Sequence, residues 1–192
     1  MSRKLIMSIV LLLASPAVFA HTGDHSGSGI GAGLVHALTG IDHMIAMLAI
    51  GLWSAYMSAA KRQQLVTGLP LVLAAGFVLG AVTGLGSMIA TADIAIALSL
   101  VLLGGLIAVR KLGLGEIPAL LMAAVFVMIH GVAHTEALSG NAVGFVVGLM
   151  VTSTLLVAFG ATLGQWLKRE ASIAMSGLGV LVSLSGLVLV PA

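Results

Sequence analysis

The sequence has no cysteine, which excludes disulfides, iron–sulfur clusters and thiolate metal sites and leaves the redox compartment unmarked. It is almost as poor in charge. Only 7% of its 192 residues are Asp, Glu, Lys or Arg, against about 25% in an ordinary soluble domain. Eight basic and six acidic side chains cannot clothe a soluble surface on a chain that is 60% hydrophobic. Aromatics are scarce too, at 4%, which removes base-stacking platforms, and the net charge of +2 comes from scattered pairs rather than a basic patch. The pI near 9.4 therefore carries no argument for nucleic acid. A water-soluble globular protein and a nucleic-acid binder are both excluded. With no phosphate-binding loop, dinucleotide fingerprint, G-x-S-x-G or His-Glu-x-x-His, no enzyme and no bound cofactor are expected.

What the chain does contain is aliphatic residues and glycine. Its mean hydropathy is +1.23 and it has 25 glycines, a combination that suits helices packed closely in lipid. Residues 1–20 read as a signal peptide: Arg3 and Lys4 are followed by the apolar stretch Leu5 to Ala14, then Pro16 and the small-residue end Val18-Phe19-Ala20. That apolar stretch is too short to cross a hydrocarbon core, which needs about 20 residues. Cleavage after Ala20 would expose His21-Thr22-Gly23-Asp24-His25, a flexible tip over residues 21–30 in which His21, Asp24 and His25 are secondary metal-ligand candidates.

Beyond the tip, hydrophobic runs fall at 31–57, 64–86, 92–109, 116–138, 142–167 and 171–191. Every basic residue after the signal peptide lies in the first, third or fifth break, as Lys61-Arg62, Arg110-Lys111 and Lys168-Arg169. The second and fourth breaks contain none. This alternation is the positive-inside pattern. It predicts an all-α, polytopic membrane bundle: one domain over 31–192 with six transmembrane helices and both mature termini outside. Glycines at four-residue spacing (Gly76, Gly80 and Gly84; Gly144 and Gly148; Gly160 and Gly164) predict tight helix contacts, and such ridges also suit a homo-oligomer. Trp53 and Trp166 read as interface-belt residues at inner helix ends. Met44 and Met47 read as packing. Glu116 and Glu170 read as interfacial.

Ionisable groups inside a bilayer are expensive and need a reason. The first run carries His36, Asp42 and His43; the fourth carries His130 and His134, with Glu136 beyond. On one continuous helix His36 and His43 would return to the same face, at depths of about 7 and 18 Å from the outer surface. His134 and His130 would lie about 6 and 12 Å below it. Both sets thus fall in the outer half of the membrane, converging on one pocket if the helices touch. Gly40, between the first pair, could loosen the helix and expose carbonyls. Imidazole and carboxylate without thiol suits borderline dications such as nickel, cobalt or zinc. The competing reading is that these groups hydrogen-bond the helices together. Asp93, after Thr91 at the outer start of the third run, reads as a helix cap or a weaker cation funnel.

The run His36-Ala-Leu-Thr-Gly-Ile-Asp-His43, followed by Met44, Met47 and Gly51-Leu52-Trp53, resembles the signature of the HupE/UreJ family, and Phe126 to Glu136, with His130-Gly131 and Ala133-His134, resembles its second motif. The resemblance covers essentially the whole chain. Ala37 stands where the family pattern usually has Pro, and Thr135 where Gly is common; the missing Pro predicts a straighter first helix. The resemblance implies a bacterial inner-membrane permease importing nickel, or cobalt, for hydrogenase or urease maturation. It places His36, Asp42, His43, His130 and Glu136 in the metal path. Spacing and topology add His134 to that set and leave two alternatives: a non-transporting accessory subunit, and a metallo- or haem protein using the same histidines. Imidazole capture further predicts uptake that falls below about pH 6, since the ligands must be deprotonated.

Overall fold

The structure, a computed structural model, describes residues 29–85, 90–110, 115–137 and 140–190, and of 90–93 and 136–137 the backbone alone. The expected signal peptide and the tip residues His21, Asp24 and His25 lie outside the described residues, as do the side chains of Asp93 and Glu136.

Every described element is helical. In chain order they are α1 (Ile30–Thr39), α2 (Ile41–Ser54), α3 (Ala59–Thr83), α4 (Ala90–Ala108), α5 (Glu116–Ala133) running into a 3-10 turn His134–Ala137, α6 (Ala142–Glu170) and α7 (Ser172–Val188). Local chemistry sets the ends. The Ser58 side chain accepts from the Lys61 N–H at the start of α3, and Gly84 closes that helix at φ 71°. The Asn141 side chain accepts from the Gly144 N–H at 2.9 Å to start α6. The helices α3, α5 and α6 are each long and apolar enough to cross a membrane, and α1 with α2 forms a fourth such unit, bent by 78°. The apolar stretches Ile94–Ala108 and Ser172–Val188 are shorter.

The bend corrects the expectation of a straight first helix. Ala37 removes a proline, yet the helix breaks three residues later at Gly40, which is extended at φ −68°, ψ 98°. Its N–H donates to the His36 carbonyl and its own carbonyl accepts from Met44 N–H, both at 2.8 Å. Gly40 therefore ends α1 and begins α2 with its backbone groups satisfied.

Glycine contacts reveal how the helices run. Gly33 faces Phe145 and Leu149, Gly148 faces Ile30 and Leu34, and Gly51 faces Val157 and Ala161, so α1 and α2 lie in succession along α6 in the same direction. Gly131 abuts Leu73 and Phe77 while Gly80 abuts Thr135, which makes α3 and α5 parallel. Gly104 meets Ser183 and Gly186 meets Ala97, so α4 and α7 are antiparallel. These are the directions that alternating crossings require. Gly84 departs from the expected ridge: a Cβ there would touch nothing within 4 Å, and its positive φ serves the turn.

The breaks also sort to two ends. At one, Lys168 Nζ donates to Ala55 O at 3.0 Å, and the Glu116 carboxylate accepts from the backbone and hydroxyl of Ser58. At the other, Gly29 meets Asn141 and Gly144. Large aliphatics such as Val82, Val143 and Ile173 face outward, while Leu100, Leu103, Ile107, Leu149 and Met175 fill the interior. An apolar exterior of this kind is the surface lipid demands. Trp53 belongs to the interior and not to an interface belt, being fully buried among core residues, whereas Trp166 is 45% exposed.

Candidate functional site

Four imidazoles meet inside the bundle: His36 from α1, His43 from α2, His130 from α5 and His134 from the turn after it. The packing explains how. α1 and α2 are seated on α6, and α5 on α3, with α3 also packed on α6. Rings from the two units meet across the space between them. His36 Nε2 lies 3.2 Å from His134 Nδ1, and His43 Nδ1 lies 3.1 Å from His134 Nε2. One imidazole therefore bridges both members of the first-span pair. On a straight helix seven residues would separate them by about 10 Å along the axis; the break at Gly40 folds them onto a single partner.

The interior end of this chain is fixed by a serine. Ser153 Oγ donates to Leu149 O at 2.7 Å, so at 2.8 Å it must accept from His43 Nε2–H. His43 Nδ1 is then the acceptor for His134 Nε2–H, and His134 Nδ1 the acceptor for His36 Nε2–H. Each of these three contacts then has one donor and one acceptor. His43 is fully buried, Ser153 and His134 nearly so, and His36 is part-exposed, so the chain leads from the surface inward.

His130 is set differently. Its Nδ1–H donates to Phe126 O, one turn back, at 3.0 Å. That leaves the lone pair on Nε2, which is buried and has no hydrogen-bond partner among the described residues. The ring is 1% exposed and stands 5.7 Å from the His43 ring. A histidine whose Nδ1–H is tied to a backbone carbonyl and whose Nε2 is unspent is arranged as metal-ligating histidines are. Asp42, in the first turn of α2, is also buried and close enough to act electrostatically on His130. It accepts no hydrogen bond from the described residues, and its position also favours the α2 dipole.

As they stand, no three histidine or carboxylate groups among the described residues surround a common point. The reason is visible in the bonding: His36, His134 and His43 spend nitrogens on one another. Of the residues expected from the sequence, the structure brings together His36, His43, His130 and His134, with Asp42 beside His130. It says nothing of Glu136 or Asp93 side chains. Met47 is buried in the apolar core and Met44 part-buried. Ser153 was not expected. Its signal is the polar triplet Thr152-Ser153-Thr154 in an otherwise apolar helix, but such residues commonly bond their own helix, as Thr154 does to Met150 O at 2.7 Å.

Apolar helices of membrane length and an imidazole cluster between them define a class, the polytopic helical membrane protein with an ionisable core. Within that class the family is identifiable. The family model described as HupE / UreJ protein matches residues 9–189. Protein HupE of Rhizobium leguminosarum bv. viciae is similar as well, at 31% identity over 193 residues that cover 92% of this chain and 97% of that protein. The chain belongs to the HupE/UreJ family. No solved structure matches it.

Proposed function

We propose that this protein is an inner-membrane permease that admits a divalent transition-metal ion, nickel or cobalt, for the maturation of hydrogenase or urease. Capture uses His36, His43, His130 and His134, with Asp42 and Glu136 offsetting the ion's charge. The observation that carries this reading is the buried, unspent Nε2 of His130, on a ring 5.7 Å from that of His43. A purely structural histidine inside a bundle is expected to satisfy both ring nitrogens, because a buried polar atom without a partner is costly. An imidazole and carboxylate set without thiol favours borderline dications.

Loading requires the rings to exchange partners. The N···N separations of 3.1 and 3.2 Å are close to the edge of a tetrahedron built on metal–nitrogen bonds of 2.0–2.1 Å, about 3.3 Å. Small ring rotations about χ1 and χ2 therefore suffice to replace hydrogen bonds by coordination. Rings in direct contact leave no slot for a macrocycle, which favours an ion over a haem. The six-crossing topology, with basic loops inside and both termini outside, is supported by the helix directions and by the grouping of the basic breaks at one end. The inward step needs no nucleotide. Two charges crossing 100 mV release about 4.6 kcal/mol, enough for a gradient of roughly a thousandfold.

Equilibrium binding of nickel to the purified protein tests capture directly. Wild type should bind, and His130→Gln, which keeps size and polarity, should bind at least about tenfold more weakly. Equal affinity in the two proteins would remove His130 from the site.

A further inference from the structure

A second polar site lies at the opposite end of the bundle. A cavity of about 570 Å³ is lined by Tyr56, Val109, Arg110, Lys168, Ser172 and Met175. Its volume falls in the range of ligand pockets, about 300–1,000 Å³. Three features of its lining have donor capacity to spare. The Tyr56 hydroxyl is buried and has no hydrogen-bond partner among the described residues. Lys168 Nζ donates to Ala55 O at 3.0 Å and stands 5.2 Å from the Tyr56 ring centre, which leaves further N–H groups on the ammonium. No carboxylate among the described residues pairs with Lys168 or Arg110. The third feature is the start of α7 at Ser172, whose cap residue Ala171 supplies no side-chain acceptor. The positive end of that helix's dipole therefore lies at the cavity's edge, where Ser172 lines it.

Arg110 strengthens the case. It follows the end of α4 at φ 57°, the left-handed region where glycine would be the cheaper residue. Arg110 lines the same cavity as Lys168 and Tyr56 and is close enough to act electrostatically on the phenol. Burial raises the Tyr56 phenol above its ordinary range, with Arg110 opposing, so the group remains a donor at neutral pH.

We infer that this cavity binds a phosphate group, carried by an anionic phospholipid headgroup or by a free phosphate, through Arg110, Lys168, the Tyr56 hydroxyl and the α7 N-terminus. Cation, neutral donor and helix start are the complement of a phosphate's oxygens. A cavity between helices beside basic loops is where anionic headgroups settle. The inference is independent of metal transport.

Thermal unfolding of the purified full-length protein in neutral detergent tests it, with added phosphatidylglycerol, phosphatidylcholine or inorganic phosphate. Phosphatidylglycerol should raise the midpoint and phosphatidylcholine should not. Arg110→Gly relieves the backbone, so its ligand-free midpoint should equal or exceed that of wild type, while its apparent affinity for phosphatidylglycerol falls at least about tenfold. Tyr56→Phe should weaken binding without unfolding the protein. A shift with inorganic phosphate alone, lost in Arg110→Gly, would assign the site to a soluble phosphate. A phosphatidylglycerol shift that survives both substitutions, or one matched by phosphatidylcholine, would overturn the inference.

Discussion

At the scale of single residues, the site consists of nitrogens that are spent and one that is not. His43 is held at both ends, by His134 and by Ser153, and Ser153 in turn is held by Leu149 O. Ser153→Ala leaves the His43 Nε2–H without an acceptor in a fully buried position, which should destabilise the protein by about 1–3 kcal/mol. A drop in the thermal midpoint, with partial recovery in Ser153→Thr, is the expected result; an unchanged midpoint in Ser153→Ala would show that the contact contributes nothing. The histidines were legible from the sequence because ionisable groups in lipid must have a purpose. Ser153 was not, since a serine that bonds its own helix and one that also holds a ring look the same in sequence. Trp53 misled for a related reason: a tryptophan near a helix end suits an interface, and only the packing of α2 on α6 and α4 shows that it is covered.

At the scale of elements, glycine positions divide into those that touch and those that do not. A Cβ at Gly33 would lie 2.0 Å from Phe145 O, and one at Gly51 would lie 2.3 Å from Val157 O. Gly33→Ala and Gly51→Ala must push α1 or α2 off α6 and should cost at least about 1–3 kcal/mol. By contrast, Gly68 in α3 and Gly177 in α7 have nothing within 4 Å. Alanine there should stabilise its helix by about 0.5–1 kcal/mol. Unfolding midpoints of the four variants decide the matter, and a common sign for all four would contradict the packing described. Helix boundaries could be read from hydropathy because a long apolar stretch in lipid must satisfy its backbone internally. The break at Gly40 could not, because a lone glycine inside a helix is usually tolerated. That break places His36 and His43 on the two sides of His134, and so it determines the site's shape.

At the scale of the whole molecule, direction and charge agree. Parallel α3 and α5, antiparallel α4 and α7, and α1–α2 parallel to α6 follow from the glycine contacts. The absence of native cysteine makes orientation straightforward to measure with single introduced thiols. Leu85→Cys, at the end shared with Gly29, should react with an impermeant maleimide in intact cells, and Ala60→Cys, beside Lys61, only after permeabilisation. The reverse pattern would invert the proposed topology. The helix directions are consistent with the alternation of basic pairs in the sequence. Which helices adjoin was not readable, because several packings bury the same glycines equally well. The central claim is that the imidazole cluster carries a metal ion inward. Its most direct test is nickel accumulation in cells lacking their own nickel uptake, comparing wild type with His43→Ala at matched membrane levels, and repeating both with cobalt. Accumulation by wild type and its loss in His43→Ala is the predicted result; equal accumulation in both, or none of either metal by correctly inserted wild type, would contradict it.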